Sequence, residues 1–357
     1  MDVFFDTAPY SPGKDEKGAL LSRRLFELTR RHYERCEPYR NIIDGLGFDL
    51  EKAGTYYDLP FLPVSLFKQL DLTSVPKEEI FKTMTSSGTT GQAVSRIYLD
   101  RETANLQQKA LSKIVSSFLG ASRLPMLIID CPSVVKDRTM FSARGAGILG
   151  FSFFGTSRAY ALHDDMSLDM ESITDFFEKF GGRRVLLFGF TFMVWQHFVH
   201  EIEKLDIKPD LSQGILIHGG GWKKLAADAV SPAVFKKRLY ETCGIREVHD
   251  YYGMVEQTGA IYMECEEGHL HASVYSDVIT RDFHDFSVCG FGETGIIEVV
   301  SALPASYPGH ALLTEDEGVV LGEDDCPCGR QGKYFKIQGR LKNAEIRGCS
   351  DTYAAGL

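Results

Sequence analysis

The chain has 357 residues, of which 44% are hydrophobic and 25% charged, a balance typical of a globular protein large enough for two lobes. Its net charge of −10 does not favour nucleic acid as a partner. No apolar run approaches the roughly 20 residues of a membrane span, and the N-terminus lacks the pattern of a signal peptide. Eight cysteines are too sparse for a disulfide framework, so we expect a cytoplasmic protein with reduced thiols.

The first two thirds of the chain alternate helical and strand patterns. Residues 20–46 carry apolar side chains three and four apart, among them Leu25, Leu28 and Tyr33, which predicts an amphipathic helix with a break near Pro38. Further helices are predicted at 101–119, 166–180, 191–205 and 223–244, buried strands at 125–130 and 185–190, a buried strand that ends in glycines at 214–221, a strand that leads into a loop at 245–254, and an extended segment at 58–68. This alternation predicts an α/β core with a mostly parallel sheet, followed from residue 260 by a β-rich part.

The segment 85–91, TSSGTTG, is rich in glycine and hydroxyl side chains. Backbone N–H groups in such a turn form a concave anion site, and the hydroxyls add donors, so the segment is a candidate phosphate loop. It is not a Walker loop, because Gly91 is followed by Gln92 and Ala93 where that motif has lysine and serine or threonine. A plain surface turn is the alternative.

Three further segments suggest a nucleotide site. HGGGW (218–222) follows an apolar run, and its glycines would let a flat ligand lie against bare backbone. YYGMVEQTG (251–259) places Glu256 where a carboxylate could hold a magnesium ion. LLTEDEGVV (312–320) and IQGRLKNAEIRG (337–348) offer Asp316 to ribose hydroxyls and Arg340 to a phosphate or ribose. Each segment alone is weak evidence, and for Asp316 the alternative is a solvated side chain in an acidic turn.

In this order and at these separations, the segments resemble those of the adenylate-forming superfamily of acyl-CoA synthetases, luciferases and peptide-synthetase adenylation domains. SSGTTG is similar to its phosphate loop, and GRLKN is similar to the hinge that follows its large lobe. YGMVE is similar to its Tyr-Gly-x-x-Glu element, with Val255 where threonine is usual. In TEDE, Glu315 replaces the glycine of the Thr-Gly-Asp motif. The resemblance covers nearly the whole chain and implies the large-lobe fold, with layered, mostly parallel sheets, helices and a β-rich C-terminal part.

The resemblance also implies how ATP and Mg²⁺ are bound. The phosphates would contact Thr85, Ser86, Ser87, Gly88, Thr89, Thr90 and Gly91. The adenine and ribose would contact Gly219, Gly220, Gly221, Tyr251, Tyr252, Gly253, Asp316 and Arg340. Glu256 would bind the magnesium ion.

The C-terminal sequence indicates which family of the superfamily the chain resembles. Superfamily members typically continue past the hinge arginine into a small mobile lobe, whereas residues 341–357 alone follow Arg340 here. We therefore expect an adenylate-forming large lobe at 1–340 and a short tail at 341–357, with the small lobe lacking. The RGCSDT setting of Cys349, with DLPFLPVSLFK, SSGTTG and DYYGMVEQTG, looks like the acyl-protein synthetase (LuxE) family.

Resemblance to this family implies a reaction in two steps. A fatty acid or related acid is activated as acyl-AMP and then transferred as a thioester to a cysteine, which Cys349 matches. The acyl group then passes to a partner such as the acyl reductase of bacterial bioluminescence. The chemistry is sound, because AMP is a good leaving group and a thiolate attacks the mixed anhydride. Arg340 and Arg347 precede Cys349, and nearby cations favour a thiolate. The alternative is an incidental cysteine on a frayed tail.

A cluster of metal-ligating residues lies outside the nucleotide motifs. Cys326 and Cys328 flank a proline in DDCPCGR, and ECEEGHLHAS offers Cys265, His269 and His271. Two thiolates on one turn and a Cys/His pair from another segment suit tetrahedral, structural zinc. A similar arrangement in the phenylacetate-CoA ligase branch of the superfamily implies His271 as the ligand, with His269 in reserve. Reduced surface thiols and solvated histidines are the alternative.

Three more side chains are candidates for contact with nucleotide or substrate. His218 precedes the glycine run, and Phe190 or Thr191 lies at a strand-to-helix turn, where ligands of α/β folds bind. Two other functions stay open. One is an acyl- or aryl-CoA ligase of the phenylacetate-CoA ligase type, against which the short C-terminus argues. The other is a non-catalytic nucleotide- or acyl-binding module, against which the full set of motifs argues.

Overall fold

A computed structural model describes residues 1–86, 93–135, 143–206, 208–222 and 228–341. These residues divide into two units, each with strands of its own. The first unit comprises 1–86, 93–118 and 253–341, and the second comprises the described part of 119–252. Among these described residues, no helix has the length and apolar character that crossing a membrane requires.

The bounds of the regular elements are as follows. The helices are α1 (Asp2–Asp6), α2 (Lys14–Arg35), α3 (Glu37–Gly45), α4 (Leu66–Gln69), α5 (Arg101–Leu119), α6 (Ala143–Phe151), α7 (Met170–Phe180), α8 (Thr191–Met193), α9 (His200–Glu203) and α10 (Pro232–Cys243). The strands are β1 (Leu62–Pro63), β2 (Lys82–Thr85), β3 (Arg96–Leu99), β4 (Leu124–Ile129), β5 (Gly155–Tyr160), β6 (Val185–Phe190), β7 (Gly214–Gly219), β8 (Glu247–Tyr252), β9 (Tyr262–Glu264), β10 (Leu270–His271), β11 (Ser276–Arg281), β12 (Thr294–Ser301), β13 (Ala311–Glu323) and β14 (Lys333–Arg340).

The second unit is a parallel sheet with strand order β8-β7-β6-β4-β5. Strands β6 and β7 are buried along their whole length, as parallel strands covered by helices on both faces are. An apolar cluster contains Leu187 and Leu216 from these strands and Phe176, Phe198 and Phe235 from the helical segments. Because parallel strands end at the same edge, the segments after β4, β6, β7 and β8 are brought together there.

The first unit is mainly antiparallel, with strand order β11-β12-β13-β14-β10-β9. Strand β1 adds to β13 in parallel, and β2 and β3 form a separate hairpin. Helix α2 buries Leu21, Leu25 and Leu28 completely, so the predicted amphipathic pattern is observed there. The same pattern included Tyr33, which is 37% exposed and donates a hydrogen bond to Asp44.

Several predicted elements differ from those observed. The helix predicted at 223–244 begins at Pro232 within the described residues, because the Ser231 side chain caps it by accepting a hydrogen bond from the Val234 amide (3.3 Å). The segment predicted as extended at 58–68 contains the single helical turn α4. The helix predicted at 191–205 contains a π-helical stretch, Val194–Val199. Helix α6 and strand β5 were not predicted.

Candidate functional site

The glycine run after β7 lies against two aromatic rings of the second unit. Gly220 and Gly221 have φ values of 82° and 61°, which favour glycine. A Cβ atom at Gly219 would lie 2.6 Å from the Tyr251 ring, and one at Gly220 would lie 2.6 Å from the Phe190 ring. Any larger residue would displace these rings. The fold therefore brings together Gly219, Gly220, Tyr251 and Phe190, which the sequence had singled out separately.

His218 is held at the end of β7 by Thr191. The Thr191 hydroxyl donates a hydrogen bond to the Gly219 carbonyl (3.1 Å). Because the hydroxyl has one proton, it accepts the second bond, which His218 Nδ1–H donates (2.9 Å). Burial lowers the pKa of His218 to about 3, and Lys236 acts in the same direction. The ring is therefore neutral near pH 7. Thr191 and His218 together fix the backbone just before the glycine turn.

A buried ion pair at the same edge of this sheet was missed by the sequence analysis. Asp130 follows β4, and its carboxylate lies 3.0 Å from the Arg144 guanidinium of α6. Burial raises the pKa of Asp130, although Arg144 opposes this. The signal was the acidic residue that ends the apolar run PMLIID, but its partner in α6 could not be recognised without the helix.

Tyr252 and Gly253 complete the predicted adenine contacts. Tyr252 is the last residue of β8 and is partly buried, and Gly253 is exposed. Their contact with adenine stays a prediction.

The predicted phosphate loop begins in the β2–β3 hairpin of the first unit. Thr85 pairs with Arg96 at the end of this hairpin. Beyond it, the Ser86 amide donates to the Ser95 carbonyl (3.2 Å), and the Ser95 amide donates to the Ser86 hydroxyl (2.9 Å). These bonds fix the base of the loop. Ser87, Gly88, Thr89, Thr90 and Gly91 lie outside the described residues.

Glu256 occupies a short turn with many hydrogen bonds. Its backbone carbonyl accepts a bond from the Tyr307 hydroxyl (2.9 Å). The side-chain amide of Gln257 donates to the Val299 and Gly309 carbonyls (3.0 and 2.9 Å). The Glu256 side chain is 4% exposed. These bonds thus fix the backbone of the turn that carries Glu256, and the magnesium role of its carboxylate stays a prediction.

Asp316 and Arg340 are direct partners across β13 and β14. Arg340 Nε lies 3.4 Å from Asp316 Oδ1, and its NH2 group lies 3.5 Å from a carboxylate oxygen of Glu315. The Asp316 amide also donates to the Thr314 hydroxyl (3.1 Å). The two predicted ribose ligands are therefore adjacent. Glu315, which replaces the usual glycine, takes part in holding Arg340.

The four predicted zinc ligands are also brought together in the first unit. The ligating atoms of Cys265, His271, Cys326 and Cys328 all lie within 4.8 Å of one another. Sγ of Cys265 lies 4.0 Å from Sγ of Cys326, and Sγ of Cys328 lies 3.4 Å from Nε2 of His271. His271 is fully buried, which lowers its pKa to about 4. Such a set of thiols and neutral imidazole can bind a tetrahedral metal ion.

Two tight turns present the cysteines. The Gly268 amide donates to the Cys265 carbonyl (3.0 Å), and the Gly329 amide donates to the Cys326 carbonyl (2.9 Å). Both glycines have positive φ, 76° and 80°. Each cysteine therefore begins a tight turn that a glycine closes. Strand β10 contributes His271, which pairs with Tyr334 of β14.

Arg330 is a second residue that the sequence analysis missed. It hydrogen-bonds to Cys328 and forms two bonds to the Glu266 carboxylate. Its guanidinium also lies 4.2 Å from the centroid of the Phe118 ring. The signal was the arginine that follows CPCG directly, but two of its partners, Glu266 and Phe118, come from distant parts of the chain.

The predicted acyl acceptor, Cys349, lies outside the described residues together with 342–357. The predicted division into a lobe at 1–340 and a tail at 341–357 likewise stays a prediction.

The fold resembles that of a ligase of known structure. It is similar to 2-hydroxyisobutyryl-CoA ligase in an open conformation in complex with 2-HIB-AMP and CoA, with a TM-score of 0.73 and 16% sequence identity over 94% of this chain and 72% of that chain. The chain has the fold of adenylate-forming ligases, which confirms the predicted α/β class.

The family model described as "Acyl-protein synthetase, LuxE" matches residues 1–357, so the chain belongs to this family. Two relatives are named long-chain-fatty-acid–luciferin-component ligase. The one from Vibrio harveyi is 23% identical over 368 residues, covering 98% of this chain and 91% of the relative. The one from Aliivibrio fischeri is 25% identical over 374 residues, covering 98% and 92%. The chain is thus an ATP-dependent ligase that activates an acid, as the sequence predicted.

Proposed function

We propose that this ligase converts a fatty acid, or a related carboxylic acid, to acyl-AMP and then transfers the acyl group to its own Cys349. The observation that carries the proposal is the family match over all 357 residues, which includes the segment that contains Cys349. The names of the two relatives support a long-chain fatty acid as the substrate class. The structural neighbour that contains 2-HIB-AMP supports an acyl-adenylate as the intermediate.

In this proposal, Gly219–Gly221 and Tyr251, which contact adenine, lie in the second unit, and Asp316, which contacts the ribose hydroxyls, lies in the first. In the second unit, the backbone at Gly219–Gly221 and the ring of Tyr251 form a flat surface suited to adenine, which Thr191 and His218 hold in place. In the first unit, Asp316 accepts hydrogen bonds from ribose hydroxyls. The segment 85–91 donates hydrogen bonds to the phosphates.

Arg340 helps to position the nucleotide, and its existing bonds fix its direction. Its guanidinium lies 3.5 Å from a carboxylate oxygen of Glu315 and 3.4 Å from one of Asp316. A side chain already ordered in this way loses less conformational entropy when it binds.

Mg²⁺ is assigned to Glu256. Magnesium prefers oxygen ligands and is usually held by one or two carboxylates together with phosphate oxygens, and Glu256 offers a nearly buried carboxylate on a fixed turn. The bound ion would neutralise part of the phosphate charge.

The first step joins the acid to AMP. A carboxylate oxygen attacks the α-phosphorus of ATP, the new C–O–P linkage forms, and the bond to pyrophosphate breaks. In the second step, the Cys349 thiolate attacks the acyl carbon and AMP leaves with the electron pair of the C–O bond. The thiol proton goes to solvent. Each step exchanges one bond for another, and no oxidant or reductant is needed.

The thioester then passes to an acceptor protein. A thioester retains a reactive acyl carbon, so an acyl reductase is the kind of partner that fits. Such a partner would supply the nucleophile or the hydride.

The experiment is to incubate the protein with MgATP and radiolabelled myristic acid, comparing wild type with Cys349→Ala. Cys289→Ala is the matched control, because Cys289 is a partly exposed thiol that lies in none of the proposed sites. Label is followed on a non-reducing gel before and after neutral hydroxylamine, and acyl-AMP is measured separately. We expect hydroxylamine-labile label on wild type and Cys289→Ala but not on Cys349→Ala, with acyl-AMP formed by all three.

Other outcomes would overturn the proposal in different ways. Acyl-CoA formation from free coenzyme A, unchanged by Cys349→Ala and without protein label, would make the protein an acyl-CoA ligase. An absence of exchange between pyrophosphate and ATP with saturated acids of varied length would indicate a non-catalytic binding module.

A further inference from the structure

We propose that Cys265, His271, Cys326 and Cys328 bind one zinc ion that stabilises the packing of the N-terminal residues 8–11 in the first unit. The metal ion would take no part in the activation of the acid. Four protein ligands leave no open position for a substrate, so the metal would be structural.

The distances among the ligating atoms fit zinc. With Zn–S bonds of about 2.3 Å, two sulfurs at tetrahedral positions lie ~3.8 Å apart, and a sulfur and a nitrogen lie ~3.5 Å apart. The Cys265–Cys326 distance between Sγ atoms is 4.0 Å, and the distance from Cys328 Sγ to His271 Nε2 is 3.4 Å. These two distances are close to those of tetrahedral zinc, and all four ligating atoms lie within 4.8 Å of one another.

The surroundings also fit the charge of such a site. Three thiolates and one Zn²⁺ carry a net charge of −1, which requires a nearby cation in a buried setting. Arg330 is hydrogen-bonded to Cys328 and is oriented by the Glu266 carboxylate. Arg330 thus supports the Cys328 ligand from outside the metal sphere.

The structure gives the two candidate histidines different roles. His271 lies in the ligand set and is fully buried. His269 places Nδ1 3.4 Å from Cys326 Sγ and stacks on Tyr334 with ring centroids 5.0 Å apart. An imidazole N–H in that position donates to a metal-bound thiolate. His269 is therefore a second-layer hydrogen-bond donor, and His271 is the ligand.

The N-terminal segment contacts the residues that form this site. The Gln331 amide donates to the Tyr10 carbonyl (3.0 Å), and the Val274 amide donates to the Pro9 carbonyl (2.7 Å). The Tyr10 ring meets the His271 ring edge-on, with centroids 6.1 Å apart. His271 is a ligand and Gln331 follows the turn at Cys326–Gly329 by two residues, so losing the metal would loosen these contacts and residues 8–11 should open first.

The first experiment measures metal content in full-length protein purified without chelators and dialysed against metal-free buffer. We expect about one zinc per chain for wild type and for Cys289→Ser, whose thiol lies outside the cluster. Cys326→Ser and His271→Asn should lose the zinc. His269→Asn should retain it with an affinity about 10–100-fold lower, the range seen when a second-layer partner is removed.

If His271→Asn does not fold, the variant His271→Cys tests the same ligand position. A fourth thiolate also suits zinc, so this variant should bind about one equivalent. Cobalt substitution should give a sulfur-to-metal charge-transfer band that grows from wild type to His271→Cys. Zinc-free wild-type protein with an unchanged melting temperature would overturn the proposal, and loss of zinc in His269→Asn but not in His271→Asn would overturn the ligand assignment.

Hydrogen exchange tests the structural role. Removal of zinc by a chelator should speed amide exchange in 8–11 and in the turns at 265–268 and 326–329. Exchange in β6 and β7 serves as the internal reference. Unchanged exchange at 8–11 after the metal has left would show that the ion does not stabilise this segment.

Discussion

Strands β6 and β11 are both six residues long and buried throughout, but only β11 contains charged residues. Strand β6, VLLFGF in the second unit, contains no charged residue, whereas β11, SDVITR in the first unit, contains Asp277 and Arg281. The first needs only apolar neighbours on both faces of a parallel sheet. The second requires a partner for every buried charge. Complete burial thus has two different physical bases in one chain.

The partners of Asp277 come from three parts of the first unit. Lys17 Nζ lies 3.2 Å from Oδ1, Lys333 Nζ lies 2.9 Å from Oδ2, and the Tyr56 hydroxyl donates to the same carboxylate. Burial alone would raise the pKa of Asp277, but the two lysines outweigh it and lower the pKa to about 2. Asp277 is therefore ionised and holds two buried cations together.

The largest effect should come from breaking this network. Asp277→Asn leaves Lys17 and Lys333 buried without their carboxylate, and losing one partner of a buried ion pair typically costs about 3–5 kcal/mol. The free energy of unfolding should fall by that amount in urea denaturation followed by circular dichroism. Tryptophan fluorescence should shift less, because both tryptophans, Trp195 and Trp222, lie in the second unit.

The matched control is an ion pair of the second unit. Arg184 and Glu247 lie 2.6 Å apart, but their side chains are 44% and 52% exposed. Solvent screens such pairs, which contribute about 0–1 kcal/mol, so Glu247→Gln should have little effect. Equal destabilisation by the two substitutions would contradict the contrast between the units.

The same contrast explains what the sequence could reveal. VLLFGF was predicted at its observed bounds because a buried parallel strand is a continuous apolar run. SDVITR showed only that the region beyond residue 260 is β-rich. The burial of Asp277 depends on Lys17, 260 residues away, and no local pattern encodes that contact.

In the candidate sites too, the sequence revealed some residues, whereas the positions of others depend on tertiary packing. Cys326 and Cys328 were visible from residue type and spacing. The different positions of His269 and His271 depend on the pairing of β10 with β9 and β14, which the sequence does not give. The glycine run 219–221 was recognised from its residue types, and two of its members, Gly220 and Gly221, have the positive φ that favours glycine. The rings that approach them, Phe190 and Tyr251, are set by packing in the parallel sheet.

An intermediate effect should follow from acidification of the second unit. Burial holds the pKa of His218 at about 3, against 6.5 in the unfolded chain. Between these values the unfolded chain binds a proton that the folded chain does not, so stability is full above pH 6.5 and falls as the pH falls. At pH 5 the loss from this group is about 2 kcal/mol.

Urea unfolding followed by tryptophan fluorescence at pH 7 and pH 5 measures this loss. His218→Asn retains a polar atom near Thr191 but has no group that titrates, so its difference between the two pH values should be smaller by about 2 kcal/mol. Other groups of the unit titrate equally in both proteins. An identical difference in wild type and variant would mean that His218 is not held neutral by burial.

The smallest effect compares two threonines that each bridge a histidine ring and a backbone carbonyl. Thr191 bridges the His218 ring and the Gly219 carbonyl at 2.9 and 3.1 Å. Thr29 in the first unit bridges the His310 ring and the Leu25 carbonyl, both at 2.9 Å. Replacing either threonine with valine removes the hydroxyl at nearly constant volume. Each change should lower the free energy of unfolding by about 1 kcal/mol.

Function should separate the two threonines. Because Thr191 fixes the backbone before the proposed adenine surface, Thr191→Val should raise the KM for ATP in pyrophosphate exchange several-fold, and Thr29→Val should leave it unchanged. A KM that rises equally in both variants would show that the effect is a general loss of stability. A KM unchanged in both would mean that the glycine run holds its conformation through the rings of Tyr251 and Phe190 alone, with no contribution from the Thr191 hydroxyl.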